Sequence, residues 1–98
     1  MDMNFKNAGN ELTVSLAGRL DTTTSPELEK ELSTKLDDVG SLIFDFKDLE
    51  YISSAGLRVV LATQKTMNKK GSMKLINVNN NILEILEVTG MTDILTIE

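Results

Sequence analysis

The sequence predicts an α/β fold in which a mixed β-sheet begins with an N-terminal antiparallel hairpin and carries helices packed on the sheet. Two observations support this prediction. Near the start, apolar and polar residues alternate on both sides of a glycine turn, which is typical of a hairpin with one solvated face. Further along, short apolar runs alternate with stretches of helical periodicity, which favours right-handed parallel crossovers. Because 98 residues lie near the commonest domain size, we expect a single domain over residues 1–98.

The hairpin is predicted from the first seventeen residues. Met3 and Phe5 alternate with polar neighbours, and Ala8-Gly9-Asn10 has the composition of a turn. The second strand is predicted over Glu11 to Ala17, and Gly18 is expected to end it.

The first helix follows a loop of capping residues, Leu20 to Ser25. Thr24 with Glu27 fits a capping box, whereas Ser25 followed by Pro26 fits a cap with proline in the first turn, and both starts remain open. A leucine stripe then repeats every four residues, which predicts a helix that packs one face onto the sheet and ends at Val39-Gly40: Leu28, Leu32 and Leu36.

The central strand and the second helix meet at a pair of serines. A nearly continuous apolar run predicts a strand buried on both faces and ending at Lys47-Asp48: Leu42, Ile43, Phe44 and Phe46. Helical spacing resumes at Leu57 and continues to Met67, with Lys69 to Gly71 as the predicted end. Ser53 and Ser54 therefore fall at the N-cap or first turn of this helix.

The last third of the chain predicts one more strand and one more helix. Met73 to Val78 is a short apolar run, and Asn79-Asn80-Asn81 predicts the start of a short helix that ends by Gly90. Leu95 to Ile97 fits either a short edge strand or a docked tail, and the sequence does not choose between them.

Composition excludes several classes of function. The chain has no histidine and no cysteine, which removes Ser-His-Asp catalysis, thiolate metal sites and disulfides, so we expect neither an enzyme nor a cofactor. A net charge of −5 argues against nucleic acid and anionic membranes as partners. The N-terminus has no signal-peptide pattern and no apolar run is long enough to span a membrane, so we expect a cytoplasmic protein.

The two serines allow two interpretations. A hydroxyl at a helix start can simply cap one unsatisfied N–H, which contributes about 1 kcal/mol. The same N–H groups and the helix dipole would also accommodate a phosphoserine. A nucleophile elbow is disfavoured, because Ile52 to Leu57 lacks the Gly-x-Ser-x-Gly frame and no histidine is available as a base.

Two stretches, Gly18-Arg-Leu-Asp21 and Asp48-Leu-Glu-Tyr-Ile-Ser-Ser-Ala-Gly-Leu57, together resemble the signature of the STAS domain family, the anti-sigma factor antagonists of bacteria. The similarity extends over nearly the whole chain in order and spacing. It implies a STAS-like single domain whose partners are an anti-sigma factor that is itself a serine-protein kinase, and a serine phosphatase. It also implies that phosphorylation releases the anti-sigma factor.

Matched position by position, the resemblance makes Ser54 the phosphoacceptor, while Ser53 stands where many members have aspartate. It implies that the partner contacts two loops at neighbouring strand ends, through Asp21, Thr23, Asp48, Ser53, Ser54, Ala55, Gly56, Leu57 and Arg58. We expect Asp21 to approach Ser54, the surrounding corner to be acidic, and Gly56 to be retained for close approach of the partner. An alternative is a STAS interaction module, or a subunit of a transport or sensory assembly, that is not phosphorylated.

Overall fold

The structure of the protein, a computed structural model, describes residues 1–98. Four strands, three helices and one 3₁₀ turn follow one another along the chain. They are β1 (Asp2–Ala8), β2 (Glu11–Leu20), α1 (Ser25–Lys35), β3 (Ser41–Ile52), α2 (Ser54–Asn68), β4 (Ser72–Ile76), α3 (Asn80–Val88) and the turn Met91–Asp93.

The four strands form one mixed sheet in the order β1-β2-β3-β4. β1 and β2 pair antiparallel as a hairpin, whereas β2–β3 and β3–β4 are parallel pairs. The predicted α/β fold with an N-terminal hairpin is therefore confirmed. Both parallel crossovers move in the same direction along the sheet, so their right-handedness puts α1 and α2 on the same face, where they contact each other.

The core lies between that face and the helices. Over the first six residues of β2 and of β3 every second residue is buried, and the leucine stripe of α1 packs into the same cluster, as the spacing predicts. Burying a large apolar side chain contributes about 1.5–3 kcal/mol, which fixes the register of each strand. The fully buried strand residues include Leu12, Val14, Leu42 and Phe44.

The central strand differs from the prediction in length and burial. β3 is not buried on both faces: Ile43 and Asp45 are only half-buried, because α1 and α2 cover one face of the sheet alone. It also does not end at Lys47-Asp48 but continues to Ile52. Register shifts in its pairing with β2 absorb extra residues there, which lets polar side chains continue the strand.

The second strand is also longer than predicted. Gly18 does not end β2, which runs on to Leu20. Gly18 has φ of 106° and lies at a register shift, so it forms an irregularity inside the strand instead of a stop. This extension brings the end of β2 level with the end of β3.

α1 ends at Lys35 instead of Val39-Gly40. Lys70 from the end of α2 donates hydrogen bonds to the carbonyls of Leu36 and Asp37, so the last turn is satisfied by a distant side chain instead of a local glycine. Thr24 is the N-cap by position, but its side chain makes no capping bond and the predicted capping box is absent. Its hydroxyl donates instead to the carbonyl of Arg19 at 2.8 Å.

The asparagine cluster starts α3 as predicted. Asn79 is the N-cap, and its side-chain oxygen accepts from the Ile82 N–H at 2.9 Å. β4 stops at Ile76, before the predicted Val78, because Asn77 adopts a left-handed φ of 56°.

The C-terminal residues combine the two alternatives. Leu95 is buried, and Ile97 forms a single parallel bridge with Leu75 on the outer edge of β4. The segment is thus a docked tail with one residue of strand pairing.

Candidate functional site

The candidate site is built where β2 and β3 end side by side. Leu20 pairs with Ile52, and the N–H of Ser53 donates to the carbonyl of Leu20 at 2.9 Å. The loop that begins at Asp21 therefore lies beside the first turn of α2. The two stretches that carry the family signature meet at this point.

Ser53 is the N-cap of α2. Its backbone is extended, and its Oγ accepts a hydrogen bond from the Gly56 N–H at 3.3 Å. Its carbonyl accepts from the Leu57 N–H at 2.9 Å, the first bond of the helix. Ser53 is half-buried. Its carbonyl and its hydroxyl both accept hydrogen bonds that stabilise the start of α2.

Ser54 is the first residue of α2 and differs from its neighbour. Its side chain is exposed, and its hydroxyl takes part in none of the side-chain hydrogen bonds of the structure, in contrast to Ser53. Arg58 is four residues further on, one helical turn away, and is also exposed. The structure thus distinguishes the capping serine from the exposed one, a distinction that helical spacing alone leaves open.

The three residues that follow Ser54 are half-buried or buried. Ala55 is half-buried, Gly56 is buried and Leu57 is 7% exposed. A β-carbon on Gly56 would lie 2.8 Å from the Leu20 carbonyl oxygen and 2.9 Å from Cγ1 of Ile52. We expected Gly56 to be retained because a partner approaches closely. That reason is wrong, because the atoms that leave no room for a side chain belong to the same chain.

Asp21 organises its own loop. Its Oδ1 accepts from the N–H groups of Thr23 and Thr24 at 3.0 and 3.1 Å, and the Thr24 hydroxyl oxygen lies 3.2 Å away. The Thr24 N–H is the main reason why the pKa of Asp21 is below its ordinary value, with smaller contributions from Thr23 and from the charge of Arg19. Asp21 lies in the loop adjacent to Ser54, but its Oδ1 is committed to this turn. Thr23 is exposed within the loop.

Asp48 is not at the corner with Ser54. It lies inside β3, paired with Ala17, instead of in a loop as predicted. Four residues of strand at about 3.3 Å each put it about 13 Å before Ile52 along the chain direction. Of the predicted site residues, Asp21, Thr23 and residues 53–58 are brought together, and Asp48 stands apart.

A cation–aromatic pair at this corner was missed from the sequence. The guanidinium of Arg19 lies 4.4 Å from the ring centroid of Tyr51, directly across the β2–β3 pair. Tyr51 is 36% exposed. Only the strand register shows that these residues meet; each precedes a buried residue at the end of its strand, which is the one signal the sequence offers.

The charge of the corner also differs from the expectation. The charge of Arg19 acts on Asp21, and Asp48 lies away from the corner, so the surface is mixed instead of acidic. No group of three or more acidic, histidine or cysteine side chains is arranged to hold a metal ion. None of the helices has the length and apolar character needed to cross a bilayer.

Comparison with known families gives a match over nearly the whole chain. A family model described as the STAS domain matches residues 2–98. The chain belongs to the STAS domain family. The resemblance seen in the sequence is thereby confirmed. The anti-sigma-B factor antagonist of Bacillus subtilis (strain 168) is 31% identical over 98 residues, covering 99% of this STAS domain and 90% of that protein.

Solved structures show the same fold. The anti-sigma factor antagonist SpoIIAA in its unphosphorylated form superposes with a TM-score of 0.86 at 18% identity, covering 99% of this STAS domain and 88% of that chain. The phosphorylated form of the Bacillus cell fate determinant SpoIIAA gives 0.78 at 18% identity, covering 99% and 91%. The murine anion transporter Slc26a9 gives 0.74 at 14% identity, where 90% of this domain covers 15% of that chain.

Proposed function

We propose that this STAS domain is an anti-sigma factor antagonist whose unmodified form binds an anti-sigma factor and so frees a sigma factor. Phosphorylation of Ser54 by the anti-sigma factor, acting as a serine kinase, ends that binding. The observation that carries the proposal is the division of roles at the start of α2. Ser53 uses its hydroxyl to cap the helix, whereas the hydroxyl of Ser54 is exposed and unbonded.

For the phosphoryl transfer, the antagonist has only to present the Ser54 hydroxyl to the kinase. The γ-phosphoryl group of ATP moves to Oγ of Ser54, the hydroxyl proton passes to a base of the kinase, and ADP leaves. Within the chain, the exposed Ser54 hydroxyl has no side-chain hydrogen-bond partner that could take its proton, in contrast to Ser53. The antagonist is therefore the substrate in this reaction and not the catalyst. A separate serine phosphatase hydrolyses the phosphoserine and resets the cycle in the cytoplasm.

The start of α2 suits a phosphate without unfolding. A phosphoserine carries about −1.5 to −2 charges at neutral pH, and the positive end of the helix dipole stabilises such a charge. Arg58, one turn along, is within the range of an i,i+4 ion pair. SpoIIAA, a structural relative, is described in both phosphorylated and unphosphorylated forms, which supports a modification that preserves the fold.

The release of the partner follows from charge and size. A partner fitted to the surface of Asp21, Thr23 and residues 53–58 would meet a bulky dianion in place of a small hydroxyl. Arg58 carries one charge and the helix dipole is weak, so part of the dianion would be enclosed without compensation, which costs several kcal/mol and corresponds to orders of magnitude in affinity. Asp48 belongs to this surface only if the partner also covers the middle of β3.

The direct test is phosphate incorporation. The protein is incubated with ATP and a candidate kinase-type anti-sigma factor, and intact mass is measured. We expect one phosphoryl group on the unaltered protein, none on Ser54→Ala, and one on Ser53→Ala, which serves as the matched control. Phosphate localised on Ser53 would show that the position-by-position match is wrong.

Calorimetry tests the consequence of the modification. The unmodified protein should bind the anti-sigma factor, while the phosphorylated protein and Ser54→Asp should bind it far more weakly. Amide chemical shifts away from the start of α2 should remain nearly unchanged on phosphorylation. Equal affinity of the phosphorylated and unmodified forms would rule out the switch.

The alternative is a STAS interaction module that is not phosphorylated, as a subunit of a transport or sensory assembly. The fold match to part of Slc26a9, an anion transporter, is the observation that favours it. Under this alternative no kinase modifies Ser54, and Ser54→Ala leaves partner binding unchanged. The mass measurement above therefore distinguishes the two functions.

A further inference from the structure

The outer edge of β1 is the open edge of the sheet. β1 lies at one end of the strand order and pairs only with β2. The opposite edge, on β4, is partly occupied by the bridge between Ile97 and Leu75. One side of the β1 backbone therefore presents N–H and C=O groups that have no strand beside them. Such an edge is a template for pairing with another strand.

The sequence of β1 is complementary to itself in one register. Consider two copies related by a two-fold axis perpendicular to the sheet, passing beside Asn4. Antiparallel pairing then sets Asp2 opposite Lys6 of the second copy, and Met3 opposite its Phe5. Two such pairs of each kind form in one dimer. If the two-fold axis passes beside Met3 or Phe5 instead, Asn4 lies opposite Asp2 or Lys6 of the second copy. The pairing of Asp2 with Lys6 is then lost.

The two faces of β1 fit this arrangement. Asp2, Asn4 and Lys6 are exposed on the face away from the core. Met3 and Phe5 point to the core side, paired with Leu16 and Val14, yet they remain only half-buried. In the dimer, Met3 of each copy would contact Phe5 of the other copy and partly cover it. Opposite charges placed directly across a strand pair are favourable, and like charges are unfavourable.

We propose that the β1 edge is an interaction surface for a second copy of this chain, joined antiparallel about Asn4 into a continuous eight-stranded sheet. The surface is formed by β1 alone and is separate from the start of α2. The contact covers a single short strand on each side, so the dimer is weak and forms at high protein concentration. The net charge of −5 on each copy opposes the association.

Charge exchange tests the pairing. Sedimentation velocity is measured from micromolar to millimolar concentration for the unaltered protein, Asp2→Lys, Lys6→Glu, and the double variant that carries both changes. Each single change puts like charges opposite each other and should weaken the dimer about tenfold. The double variant restores opposite charges and should recover the association. Glu84→Lys and Lys65→Glu make the same charge changes at exposed helix positions and are the matched controls.

A cysteine on the proposed axis tests the register. The chain has no cysteine, so any disulfide must join introduced residues of two copies. Directly opposed residues of antiparallel strands have Cα atoms about 4.5–5.5 Å apart, within disulfide range. Asn4→Cys should oxidise to a covalent dimer, whereas Asn7→Cys, opposite Met1 in this register, should remain mainly monomeric under the same conditions.

Three results would overturn the proposal. The first is an unaltered protein that stays monomeric at every concentration. The second is a double charge variant that associates no better than the single variants. The third is equal cross-linking of Asn4→Cys and Asn7→Cys, which would indicate random collision. Circular dichroism of each variant checks that the changes at these exposed positions leave the fold intact.

Discussion

Gly56 and Leu20 lie so close that a β-carbon on Gly56 would stand 2.8 Å from both the Cγ and the carbonyl oxygen of Leu20. The same carbonyl accepts the N–H of Ser53 at 2.9 Å. The first turn of α2 is thus seated directly on the end of β2. Because Gly56 has no side chain, the first turn of α2 can lie this close to the end of β2.

The first prediction is that Gly56→Ala destabilises the protein. In an unhindered helix this change would stabilise by up to about 1 kcal/mol. Here the added methyl group meets a backbone oxygen, and overpacking of this kind costs about 1–3 kcal/mol. Urea denaturation should give a lower free energy of unfolding for Gly56→Ala, and a larger loss for Gly56→Val. Higher stability of Gly56→Ala would show that the contact relaxes freely.

The two serines should also differ in their effect on stability. Ser53→Ala removes the hydroxyl that caps the Gly56 N–H and should lower the free energy of unfolding by about 1 kcal/mol. Ser54→Ala removes an exposed hydroxyl without a bond and should change it by less than about 0.5 kcal/mol. Thermal and urea denaturation of the two variants check this without any partner. Equal losses would mean that the cap is shared between the two hydroxyls.

Asp21 should make stability depend on pH at the acid end. Its pKa is lowered in the folded protein, chiefly by the Thr24 N–H, so the folded state binds the proton less readily than the unfolded chain. Its contribution is therefore full above the unfolded pKa, near 3.8, and is lost as the pH falls through the lower folded value. The difference in stability between the unaltered protein and Asp21→Ala should be largest at neutral pH and shrink below pH of about 4. A difference that grows on acidification would contradict this sign.

Lys70 should stabilise the end of α1 from a distance. Its Nζ donates to the carbonyls of Leu36 and Asp37, where no glycine cap is present. Lys70→Met keeps most of the side-chain length but removes the donor, and we expect a loss of about 1 kcal/mol. Lys69→Met, at the neighbouring exposed position, is the control and should have little effect. Amide exchange should quicken selectively in the last turn of α1.

The sequence predicted those features that depend on local periodicity. The hairpin, the leucine stripe of α1 and the start of α2 at the serines all follow from spacing, because burial of one face fixes the side chains that must be apolar. Asn79 was likewise predicted as a helix start, and its side chain makes the expected capping bond. These features needed no knowledge of distant contacts.

The features that the sequence did not predict arise from contacts distant along the chain. The end of α1 depends on Lys70, more than thirty residues away. Gly18 could be recognised as a strand irregularity only from the pairing of β2 with β3. The same register was needed to bring Arg19 onto Tyr51 and to move Asp48 away from Ser54. At the candidate site, only the hydrogen bonds and exposure seen in the structure distinguish the capping hydroxyl of Ser53 from the exposed hydroxyl of Ser54.

The order of the strands in the sheet bears on how the chain folds. Each strand hydrogen-bonds to the one that precedes it in sequence, so no pairing requires the two termini to meet first. The entropic cost of closing a loop rises only slowly with its length, and the longest connection between paired strands runs from Leu20 to Ser41. The sheet can therefore grow strand by strand in chain order, with the bridge from Ile97 to Leu75 added after β4 is in place. The hairpin of β1 and β2 is the only strand pair closed by a short turn, so it is the pair with the smallest loop-closure cost.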